Sequence, residues 1–76
     1  MSTWKDRVDI NIREILADLQ TTSHHVIRGR LHGTDLYDIQ QYFGTKDDQV
    51  VLRYLREMQQ ERGLVEELSH GEFTRA

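Results

Sequence analysis

The stretch Thr34-Asp35-Leu36-Tyr37-Asp38-Ile39-Gln40-Gln41-Tyr42-Phe43-Gly44, with the link Thr45-Lys46-Asp47-Asp48 and the later run Arg62-Gly63-Leu64-Val65-Glu66, decides the fold. Leu36, Ile39 and Phe43 fall at i, i+3 and i+7, one face of a short helix. Thr34 suits the N-cap, and Asp35 and Asp38 in the first turn meet the positive end of the helix dipole. Gly44 occupies a C-terminal cap position. Thr45 or Asp47 caps a second, longer helix. Its Val51, Leu55, Met58 and Arg62 run down one face, flanked by Leu52 and Tyr54, until Gly63 stops it.

Downstream, Leu64-Val65-Glu66-Glu67-Leu68 has strand character with imperfect alternation. Ser69-His70-Gly71 reads as a turn with glycine at a positive φ, and Glu72-Phe73-Thr74-Arg75 pairs back. Two strands alone are marginal in water, so a third is expected near Val26-Ile27 or Leu31-His32. Upstream, Val8, Ile12, Ile15, Leu16 and Leu19 mark one face of a helix from about Trp4 to Gln20, capped by Ser2 or Thr3. Asp9, Asn11, Arg13 and Asp18 mostly fall off that face. Thr21-Thr22-Ser23 ends the helix, because short hydroxyl side chains compete for backbone hydrogen bonds. His24 to Leu31 is ambiguous: its β-branched pair permits an extended piece, and Gly29 and Gly33 break any long helix. Leu31 is the expected anchor back to the core.

The chain has 76 residues, room for one compact domain over 1–76. At 37% hydrophobic and 30% charged it has the composition of a folded protein. It holds no cysteine, which removes disulfides, thiolate metal sites and a cysteine nucleophile, and fits a reducing cytoplasm or nucleus. No apolar run approaches spanning length, and Met1-Ser2-Thr3-Trp4-Lys5-Asp6 lacks a signal-peptide core, so a cytoplasmic or nuclear rather than secreted protein is expected. The formal net charge of −3 argues against coating nucleic acid by charge alone.

From about Val8 to Phe73 the chain resembles the winged-helix superfamily: a helix, a tight turn with glycine, a longer helix, then Gly63-Leu64-Val65-Glu66 leading into a hairpin. The resemblance implies a mainly α fold with a small β-hairpin, three helices plus a two- or three-stranded wing. Gly44 to Asp47 would be the helix-turn-helix corner and residues 64 to 75 the wing. It also implies a third helix that enters the major groove of DNA. Transferred onto this chain, the groove-facing positions come from Lys46, Asp47, Asp48, Gln49, Arg53, Arg56 and Gln60. Gln49, Arg53 and Arg56 share a side of the helix and would read bases, with Lys46, Arg28, Arg30 and Arg75 on phosphates. The expected function is a small transcriptional regulator that binds duplex DNA.

Acidic residues keep a second class in view. Asp47 and Asp48 sit where a recognition helix approaches phosphates, and Glu66, Glu67 and Glu72 make the wing acidic. In its short second helix and acidic wing the chain is similar to the C-terminal domain of the middle subunit of eukaryotic replication protein A, a protein-interaction winged helix. That likeness implies a surface of Tyr37, Tyr42, Glu66, Glu67 and Glu72 that docks a basic partner segment. The bland reading of the same acids is a solvated sheet edge guarded by charge.

An enzyme is not expected. Gly29-Arg30-Leu31-His32-Gly33 lacks the length and lysine of a phosphate loop, and a chain this small has little room for an enclosed pocket. His24, His25, His32 and His70 show no metal-ligand spacing, so no metal or other cofactor is expected and exposed or half-buried loop histidines are. The winged-helix resemblance also implies a homodimer through the first helix, using Trp4, Val8 and Ile10, of which Ile10 lies off the apolar stripe.

Overall fold

The structure, a computed structural model, describes residues 3–76. Helix α1 spans Trp4–Leu19, strand β1 Thr22–Ser23, helix α2 His24–Arg30, helix α3 Gly33–Phe43, helix α4 Val50–Arg62, strand β2 Val65–Ser69 and strand β3 Glu72–Arg75. The three strands form one antiparallel sheet in the order β1-β3-β2.

Thr3 caps α1 through a capping box, its hydroxyl accepting from the Asp6 amide while the Asp6 carboxylate accepts from the Thr3 amide. Ser2, the alternative cap, lies outside the described residues. The expected stripe holds at four of its five positions: Val8, Ile12 and Leu16 are buried and Ile15 packs against the core, while Leu19 is half-buried outside the core cluster. Asp9 departs from expectation, because it is buried on the same helix. The chain leaves α1 at Gln20, which takes a positive φ of 61°. This sharp exit turns Thr22–Ser23 into an extended pair that bonds β3, Thr22 opposite Phe73 and Ser23 opposite Glu72. The third strand is therefore here, and not at Val26-Ile27 or Leu31-His32.

The expected three helices are four among the described residues. The extra one is α2: the Ser23 hydroxyl accepts from the Val26 amide and starts it, and Ile27 is fully buried. Burial of Ile27, together with that of His24, outweighs the β-branched preference of the local sequence. Leu31 follows as the C-cap and packs on the core, as expected.

Helix α3 begins one residue before its expected cap. His32 is the N-cap without a side-chain bond, the Leu36 amide donates to the His32 carbonyl, and Thr34 lies inside the first turn. Gly44 ends α3 in the left-handed conformation, φ 69°. The link to α4 is knitted by its own side chains, the Thr45 hydroxyl accepting from the Asp47 amide and Asp47 Oδ1 from the Gln49 amide at 2.9 Å. Gln49 then occupies the cap position of α4. Helix α4 is the centre of the molecule, with Val50, Val51, Leu52, Tyr54, Leu55 and Met58 all buried. It packs on α2, α3 and β2. In the hairpin Glu67 pairs with Phe73 and Ser69 with Glu72, so Leu68 is an extra, bulged residue and stands exposed.

Candidate functional site

Helix α4 carries one polar stripe on its outer side. Gln49, Arg53, Arg56 and Gln60 follow at i, i+4, i+7 and i+11, and all four are exposed. The acids of this helix, Glu57 and Glu61, lie off the stripe. Arg53 rests its guanidinium on the Phe43 ring, 4.5 Å from the centroid, which couples the stripe to the end of α3. Arg28 of α2 is half-buried and reaches the Asp47 carbonyl at 3.5 Å, so it stands beside the loop holding Lys46. Arg28, Lys46, Gln49, Arg53 and Arg56 are thus gathered on and around the outer side of α4.

Two of the remaining arginines are placed elsewhere. Arg30 pairs with Asp18 of α1 at 3.4 Å. Arg75 lies opposite Val65, at the end of the hairpin away from its turn. The turn itself presents His70, whose Nδ1 is 3.4 Å from Arg56 Nη2.

Arg56 is bound to the hairpin. Its Nε and Nη2 donate to the two oxygens of Glu67, each at 3.0 Å. The Gly71 amide donates to the same carboxylate at 2.9 Å. Arg56 and the Gly71 amide together hold the Glu67 carboxyl below its ordinary range. Behind this pair lies His24, buried at 6% exposure on the inner side of the turn. Its amide donates to the Gly71 carbonyl at 2.9 Å and its ring stacks on His25 with centroids 4.0 Å apart. Its Nδ1 has no hydrogen-bond partner among the described residues. Burial, with the nearby charges of His25, Arg56 and His70, pushes the His24 pKa down. The expectation of an exposed or half-buried loop histidine is corrected at this position, because α2 turns the ring inward under the hairpin.

The residues of the docking alternative are dispersed. Tyr42 sits in an aromatic cluster with Trp4, centroids 5.5 Å apart, and donates its hydroxyl to Glu57 at 2.8 Å. Glu67 is engaged by Arg56, and Glu72 is half-buried in β3. Tyr37 and Glu66 are exposed on different elements, α3 and β2. Of the dimer residues, Val8 is wholly buried in the monomer and has no surface to offer a partner. Trp4 packs against the core, which leaves Ile10 as the exposed member of the set.

Two buried carboxylates had no signal in the hydrophobic pattern. Asp9 accepts from the Tyr54 hydroxyl at 2.7 Å and from Arg62. Asp35 accepts from Arg7 at 2.8 Å and from Asn11. Both tie α1 to a neighbouring helix and neither lies on the outer stripe of α4. Among the described residues no group of three or more His, Cys, Asp or Glu is arranged to hold a metal ion, and no helix is long and apolar enough to cross a membrane. The sequence matches no family model, no curated protein and no solved structure.

Proposed function

We propose that the protein is a winged-helix DNA-binding domain that reads duplex DNA through α4 and touches the backbone through the loop before it. The observation that carries this reading is the stripe Gln49, Arg53, Arg56 and Gln60, exposed along one side of α4 beside a hairpin. The element order supports it: a helix pair joined by a glycine turn, a hairpin after the second of them, and a sheet in the order β1-β3-β2. Winged-helix DNA readers place these parts in the same sequence, with α4 as the groove helix and β2–β3 as the wing. The short α2 is an addition between the first strand and the helix-turn-helix.

The chemistry of the stripe fits base edges. Arginine matches guanine O6 and N7, and glutamine matches adenine N6 and N7. Lys46 and Arg28 flank the start of α4, where phosphates would lie. Asp47 supports this arrangement as a loop-former, its Oδ1 committed to the Gln49 amide.

Titration with mixed-sequence duplex DNA at low salt, followed by amide chemical shifts, tests the reading. Shifts centred on residues 46–60 are expected, with affinity falling on Arg53→Ala and on Arg56→Ala and with rising salt. Absence of duplex binding at low salt, or indifference to both substitutions, overturns it.

A further inference from the structure

Arg56 and Glu67 meet through two parallel hydrogen bonds rather than one. A planar guanidinium has two edges that can make paired hydrogen bonds, Nε with Nη2 and Nη1 with Nη2. Glu67 occupies the first edge with both of its oxygens. That fixes the plane of the group and leaves the second edge outside the bond to Glu67. Glu67 is itself fixed on two further sides. Its carboxylate accepts from the Gly71 amide at 2.9 Å, and its own amide donates to Gln59 Oε1 at 3.0 Å. The carboxylate is the recessed partner and the guanidinium the presented one, with side-chain exposures of 19% and 44%. A cleft of about 350 Å³ opens beside them, lined by Arg56, Gln59, Gln60 and Glu67.

We propose that Glu67 is a positioning residue that holds Arg56 so that its remaining Nη1–Nη2 edge reads a guanine seated against the cleft between α4 and β2. The inference rests on the duplex-binding reading given above and names the base that this site selects. An unrestrained arginine gives up rotamer freedom when it meets a base, whereas one already held in plane has lost it beforehand. Two parallel N–H groups then match O6 and N7 of guanine, and no other base edge in the major groove offers that pair of acceptors. His70 Nδ1, 3.4 Å from Nη2, lies near the same edge and yields to the base.

The test starts from a duplex selected from a randomised pool by the wild-type protein. In that duplex the guanine protected by Arg56 is replaced by adenine or by 7-deazaguanine, which lacks the N7 acceptor. Wild type is expected to lose at least ~10-fold in affinity on either replacement. Glu67→Gln keeps the shape of the side chain but loses the paired carboxylate. It is expected to lose at least half of that discrimination, on a logarithmic scale, while binding mixed-sequence duplex as well as wild type or better. Arg56→Ala should abolish the discrimination. In the free protein the Arg56 Nε–H resonance is expected to be sharp and slowly exchanging in wild type and averaged in Glu67→Gln. This reports the hold on Arg56 without DNA. Equal discrimination by wild type and Glu67→Gln, with Arg56→Ala losing it, overturns the positioning role alone. A uniform gain on every duplex in Glu67→Gln with discrimination intact does the same, since it makes Glu67 a simple repellent of phosphate. Failure of wild type to bind any duplex overturns the duplex reading and this inference together.

Discussion

At Asp9 a carboxylate is buried in a helix face otherwise made of Val8, Ile12 and Leu16. Such a group persists only where its oxygens are bonded. Tyr54 supplies one bond and Arg62 the other, so the three side chains lock α1 against α4. Burial and the bond to Asp9 push the Tyr54 pKa well above its ordinary value, which keeps the hydroxyl a donor throughout the working pH range. Tyr54→Phe leaves the ring in place and strips that donor from a charged acceptor. It is expected to destabilise the fold by about 1.5–3 kcal/mol in urea unfolding, with the slope of the transition unchanged. Gly71 is the second residue with a sharp requirement. It has a φ of 75°, and a Cβ there would lie 2.8 Å from His24 Cδ2. Gly71→Ala is expected to cost about 2 kcal/mol or more, combining the left-handed backbone with the clash. Added to His24→Ala the same change should cost less, because only the backbone part remains. A double-mutant cycle on unfolding free energies measures the difference.

The hairpin and α2 form one element in practice, since His24 begins the helix and floors the turn. The charged and titratable groups around its ring are His25 on α2, Arg56 on α4, Glu67 on β2 and His70 in the turn. The folded-state pKa of His24 lies below the ordinary imidazole value of 6.5. The unfolded chain therefore takes up this proton first as pH falls. Stability from this source is fully present above 6.5 and declines as pH drops through the lower folded value. Glu67 acts in the same direction at lower pH, since its depressed carboxyl gives stability present above 4.5 and lost below. Urea midpoints are expected to change little between pH 7.5 and 6.5 and to fall between 6.5 and 5.5, and His24→Gln to flatten that fall. A slope unchanged by His24→Gln would assign the acid sensitivity elsewhere. The existence of α2 was beyond local patterning. Seven residues containing Gly29 and two β-branched side chains have weak helix propensity, and the burial of Ile27 and His24 by the rest of the fold holds them.

Over the whole molecule, the net charge of −3 sits on a fold whose basic side chains are unevenly placed. Arg28, Lys46, Arg53 and Arg56 gather around α4, while Arg7 and Arg62 are consumed by buried carboxylates. Few cations remain to meet phosphates. The logarithmic salt slope of duplex binding is therefore expected to be shallow, about −1.8 for Lys46 and Arg28 on phosphates, with a limit of about −3.6 when Arg53 and Arg56 are counted as well. Fluorescence anisotropy across a salt series checks this. A markedly steeper slope would require basic groups outside the α4 surface.

The sequence by itself determined α1, α3, α4 and the hairpin, because each is written in local physics. Apolar residues recur at helical spacing, Gly44 and Gly63 take left-handed caps, and Gly71 takes the positive φ of the turn. The candidate stripe was legible as well, since Gln49, Arg53 and Arg56 follow the helical period opposite the buried face. Tertiary structure alone decided the place of β1, the helicity of α2, the burial of Asp9, His24 and Asp35, and the partner of Arg56. Most of these depend on a residue outside their own element: Phe73 for β1, Gly71 for His24, Tyr54 for Asp9, Arg7 for Asp35, Glu67 for Arg56. Periodicity reports which face of an element is apolar. It carries no record of which charged group on that element finds a partner when the faces close.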